Sequence, residues 1–103
     1  MDDVYFEVMS ASGKKIRTTR KYWEFIIAIK HPSMTGKEDV VKITLKDPVE
    51  IRKSKHDEKT YLYYRKHNGY FCCVVCKHEN GKGYIITAYI TDKIKEGGII
   101  WKK

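Results

Sequence analysis

The chain has 103 residues, of which 42% are hydrophobic and 13% aromatic, and its 21 Lys and Arg against 13 Asp and Glu give a formal charge of +8. That length fits one domain spanning the whole chain, with enough apolar material for a single core, and excludes a disordered or low-complexity architecture. No run approaches the ~18 apolar residues needed to cross a bilayer, so no membrane partner is expected.

A basic balance of this size draws polyanions and gives salt-dependent contact with phosphate backbones, which makes RNA the expected partner. Met1 leads into Asp2 and Asp3 with neither a basic nor an apolar leader region, and the three cysteines form no even-numbered framework. Both features favour a reducing, cytoplasmic setting.

Residues 4–9 alternate as a first strand, with Val4, Phe6 and Val8 on one face, and Ala11, Ser12 and Gly13 read as a turn. Thr18 or Thr19 can cap a helix that carries Tyr22, Trp23, Ile26, Ile27 and Lys30. Pro32 breaks it at His31, because the residue before proline is pushed out of the α region. Thr35 and Glu38 have the spacing of a capping box for a second helix, which runs to about Lys46 and stops before Asp47-Pro48. Residues 49–53 are a short strand.

Asn68-Gly69 and Asn80-Gly81 then punctuate three apolar runs, the signature of an antiparallel meander joined by tight turns with positive φ. Lys-His pairs recur at Lys55-His56, Lys66-His67 and Lys77-His78, one strand and one turn apart, which makes the histidines strand-end residues. Residues 91–96 read as a last helical turn, after which Ile99, Ile100 and Trp101 tuck back against the sheet. The expected fold is α+β: an N-terminal strand and two helices packed on one face of a twisted four-stranded antiparallel sheet.

Strand period sorts the meander by face. Thr87 and Tyr89 share a face with Ile85, while Ile86, Ala88 and Ile90 point to the helices. Arg65 shares a face with Tyr61 and Tyr63, opposite Leu62 and Tyr64. A single face could therefore collect Arg65, Thr87 and Tyr89, a guanidinium, a hydroxyl and a phenol able to grip a phosphate. The plainer reading makes Arg65 a solvated strand-end residue and Thr87 a β-former.

His31 is a candidate general acid or base, or alternatively a cap on the helix dipole. Cys72, Cys73 and Cys76 are read as core residues, since Cys73 points away from the other two and no paired zinc spacing exists. No metal or other cofactor is expected.

Three segments together resemble a known group. They are His31-Pro32 with Met34, the run Leu45-Lys46-Asp47-Pro48-Val49-Glu50-Ile51-Arg52-Lys53-Ser54, and Tyr63-Tyr64-Arg65 with Ile86-Thr87-Ala88-Tyr89. In this order they resemble the barnase–EndoU–colicin–RelE (BECR) fold of small nucleases, in particular phage-associated and uncharacterised bacterial members. The resemblance implies metal-independent RNA cleavage on the sheet face, by attack of a 2′-OH on the adjacent phosphate, in a toxin or phage-derived effector. It implies His31 as the proton-transfer residue, Arg52 or Arg65 as the cation, Ser54 and Thr87 on phosphate oxygens, and Tyr63 and Tyr89 at the substrate. An inhibitor or antitoxin protein is the further partner it implies. The alternative from another class is a non-catalytic nucleic-acid-binding domain that uses tyrosines and lysines as its platform.

Overall fold

The structure, a computed structural model, describes residues 3–94 and 97–103. Among these, β1 (Val4–Met9) and β2 (Lys15–Thr19) form a hairpin, followed by α1 (Arg20–Phe25), a wider π-helical run (Ile26–Lys30) and a short 3₁₀ turn (Pro32–Met34). Then come α2 (Glu38–Lys46), β3 (Glu50–Lys53), β4 (Thr60–His67), β5 (Tyr70–Glu79), β6 (Lys82–Thr91) and β7 (Gly98–Lys102).

They build one seven-stranded sheet in the order β1-β2-β6-β5-β4-β3-β7. The sheet is mixed, because β2 runs parallel to β6 while the other pairs are antiparallel. This corrects the expected four-stranded antiparallel sheet with two helices on one face.

Two strands escaped the sequence reading for physical reasons. β2 alternates, but its buried face carries Thr18 beside Ile16, so its apolar signal is weak. β7 is an edge strand whose residues are all exposed, with Ile99 and Ile100 both about half accessible, so these side chains do not tuck under the sheet. Residues 91–94 end β6 and bend rather than coil; the remainder of the expected last turn, Lys95 and Glu96, lies outside the described residues.

Local chemistry explains the helical elements. The Thr19 side chain accepts from the Tyr22 amide at 3.0 Å and starts α1. Ahead of Pro32 the helix widens, and the His31 amide reaches the Ile26 carbonyl at 2.7 Å, five residues back. The capping box does not form: Thr35 Oγ1 turns to the Pro32 carbonyl, and Glu38 accepts the Tyr5 hydroxyl at 2.7 Å. Trp23, Ile26, Met34, Val41 and Leu45 are buried in one cluster with Ile16, Tyr63, Val74, Ile85 and Ala88. A second, smaller cluster of Leu62, Tyr64 and Cys73 lies on the other side of the sheet. The sheet is thus apolar on both faces.

The seam between β2 and β6 leaves no room at Gly83, which is paired with Ile16 on one side and His78 on the other. A methyl group there would strike the Lys77 carbonyl oxygen and lie 3.0 Å from Ile16 Cδ1. Gly83→Ala is expected to destabilise the fold by about 2 kcal/mol, read as a lower urea midpoint at unchanged slope.

Candidate functional site

A β-bulge decides what the open face presents. Val75 pairs with Thr87 but Cys76 pairs with Ile85, so Ile86 is an extra residue in β6. Its carbonyl is held from α1 and the π-helical run, by the Tyr22 hydroxyl at 2.7 Å and Lys30 Nζ at 3.3 Å. Beyond the bulge, Ala88 and Ile90 belong to the helix side and Thr87 and Tyr89 to the open side, as parity predicts. Before it, Ile85 is switched into the helix-side core.

On the open side lies a groove of about 500 Å³ lined by Ser54, His56, Thr60, Leu62, Thr87 and Tyr89, among others. The loop over one end of it is pinned. The Ser54 amide donates to the Thr60 carbonyl at 2.9 Å, and Ser54 Oγ accepts from the His56 amide at 3.1 Å. Asp57 accepts from Lys77 Nζ at 2.6 Å and from the Lys59 amide, which holds its carboxyl down to about 2.

Thr87 Oγ1 is buried and has no hydrogen-bond partner among the described residues. Of the groove residues, Tyr89 packs against the His31 ring, with centroids 5.3 Å apart. Partial burial, and then the charge of Lys30, hold the His31 pKa below its ordinary value, so its imidazole is neutral at pH 7.

The two arginines part company. Arg52 pairs with Leu62 across the strands and shares its face. Its guanidinium donates Nε–H to buried Glu50 and Nη1–H to the carbonyl of Gly97, itself a groove residue. Arg65 pairs with Cys72, whose side chain lies in the helix-side core. Its Nη1 donates to the Asp47 carbonyl at 2.7 Å and carboxylate at 3.0 Å, behind the end of α2. Lys103 first, and Arg65 after it, keep the Asp47 carboxyl below the usual range. Arg65 and Thr87 therefore stand on opposite faces, and Arg65 is not part of the groove.

Nor is Tyr63. It is fully buried on the helix side, its hydroxyl 3.0 Å from both Ser10 Oγ and Ser12 Oγ and 2.9 Å from His78 Nε2. The sequence reading assigned Tyr63 to the substrate because strand period shows which residues share a face but not which face that is. It also passed over His56 as a turn residue and left Glu50 without a role. The hint for Glu50 was its place in the run that includes Arg52 and Ser54, and for His56 its place two residues beyond that run.

His78 is stacked on Tyr61 with centroids 4.0 Å apart, and burial, with Lys14 nearby, lowers its pKa to about 4. The folded state keeps it neutral, whereas the unfolded chain protonates it near pH 6.5. Stability is therefore expected to fall as pH drops from about 6.5 to about 4, by up to about 3 kcal/mol. Urea midpoints across that window check it, and His78→Gln should flatten the dependence.

Among the described residues no three His, Cys, Asp or Glu side chains are grouped to hold a metal ion, and no helix is long and apolar enough to span a membrane. Comparison with known proteins adds no further constraint: no family model matches the chain, and no curated protein or solved structure matches it either.

Proposed function

We propose that this protein is a metal-independent endoribonuclease that works in the open-face groove. The observation that carries the reading is the partnerless Thr87 hydroxyl, set in a groove with Ser54, His56 and Tyr89 on a chain of charge +8. A buried hydroxyl without a partner calls for an explanation, which a ligand oxygen at the groove would supply, and the charge favours a phosphate as its source.

The groove and the His31 ring packed on its Tyr89 offer groups suited to 2′-OH attack. Neutral His31 takes the proton as the 2′-oxygen bonds to phosphorus. The bond from phosphorus to the 5′-oxygen breaks, and His56 of the groove returns a proton to that leaving oxygen. The products are a 2′,3′-cyclic phosphate end and a 5′-hydroxyl end. Arg52, Thr87 and Ser54 stabilise the charge that builds on the non-bridging oxygens. Tyr89 offers a ring for a base to stack on. An inhibitor protein, the other partner suggested by the motifs, would act by covering this groove.

The test is incubation of RNA with the purified protein in EDTA, with analysis of the ends produced. Cyclic-phosphate ends are expected. Binding without cleavage would replace the enzyme with the non-catalytic binding domain, and loss of cleavage in EDTA would overturn the metal-free chemistry.

A further inference from the structure

A second pocket, of about 370 Å³, lies beyond the loop that closes the groove, lined by Lys14, Lys59, Tyr61, His78, Glu79 and Asn80. Its neighbour relation to the groove is covalent: Thr60 lines the groove, while Lys59 and Tyr61 on either side of it line this pocket. Successive strand residues point to opposite faces, so the two sites lie back to back at one end of the sheet.

The hydrogen bonds here anchor one edge of the His78 ring. Ser10 Oγ accepts the Ser12 and Lys14 amides at 3.3 Å and the Tyr63 hydroxyl at 3.0 Å. The Tyr63 hydroxyl also lies 2.9 Å from His78 Nε2, which anchors that edge of the imidazole and leaves Nδ1 for the pocket. Nδ1 has no partner among the described residues, and His78 as a whole is 92% buried yet lines the pocket. Two ammonium groups and an amide side chain beside an anchored imidazole edge, with Glu79 the single opposing charge, suit an anion.

We propose that this pocket is a second phosphate subsite, which takes a backbone phosphate of the RNA strand as it leaves the groove over residues 54–60. The strand is named as the source on the strength of the ribonuclease reading; the anion chemistry stands on the pocket alone.

The His78 imidazole resonance is the reporter. Inorganic phosphate is expected to shift it saturably and to raise its pKa, while chloride at equal ionic strength does neither. In Lys14→Ala/Lys59→Ala the response should vanish. That variant should bind an oligouridylate of about eight nucleotides roughly tenfold more weakly, with cleavage of a dinucleotide unchanged.

A His78 signal blind to phosphate would overturn the subsite and leave the ribonuclease reading intact. A phosphate response with unchanged oligouridylate affinity in the variant would overturn the strand as its source. A phosphate response in a wild-type protein that binds no RNA would sink the ribonuclease reading, and the strand with it.

Discussion

Arg52→Ala is expected to lower kcat/KM for RNA cleavage by about 10²–10³-fold, whereas Arg65→Ala changes it less than about threefold. The contrast follows from facing. The Arg52 guanidinium is aimed by two contacts, Glu50 and the Gly97 carbonyl, and a guanidinium has five N–H donors in a rigid fork. Nη2 is left to meet a phosphate oxygen. Arg65 spends its contacts on Asp47 behind the sheet.

Removing Arg52 also strands the buried Glu50 carboxylate, which is destabilising in its own right. A thermal melt must therefore accompany the kinetics. Arg52→Lys keeps the charge but cannot serve Glu50, Gly97 and a phosphate at once, so it should recover less than a tenth of the lost rate while folding normally. Arg65→Ala should lose less than about 1 kcal/mol, since its partner is half exposed. A variant series in which Arg65 dominates would refute the groove as the site.

The meander was the legible part of this fold. Asn68 and Gly69 both take positive φ, and Gly81 does so in the second turn, as those residue pairs announce. The alternation in β4 correctly grouped Tyr61, Tyr63 and Arg65. What it could not say was which face they occupy, because Leu62, Tyr63 and Tyr64 are all buried and both sides read as core. The bulge at Ile86 was equally silent, since it is held by Tyr22 and Lys30 from an element more than fifty residues earlier in the chain.

Thr87 and Tyr89 share the groove because strand period puts them on one face, whereas Arg52 and Ser54 entered with the motif run and His31 as a histidine at a helix end. Arg65 and Tyr63 entered through strand parity and the Tyr63-Tyr64-Arg65 motif, neither of which says which face is open. His56 was hidden because a histidine in a charged loop looks like any other solvated residue until the loop is seen folded over the groove.

His31→Ala should slow cleavage by about 10²–10⁴-fold, the range for loss of a general base, and its pH profile carries the sharper result. A base works only when unprotonated, so activity must fall as pH drops through its pKa. Burial and the Lys30 charge depress that pKa, which places the acid limb of kcat/KM below the ordinary histidine value of about 6.5. The limb should be absent from the residual activity of His31→Ala.

Lys30→Gln removes the neighbouring charge and should move the limb upward, toward the ordinary value. The same substitution can still donate to the Ile86 carbonyl, so the bulge that aims Thr87 is kept. An acid limb that survives in His31→Ala would assign the base to another group of the groove, with His56 the first to test. A limb that moves with Lys30 but leaves in His31→Ala ties the proton transfer to the ring on Tyr89.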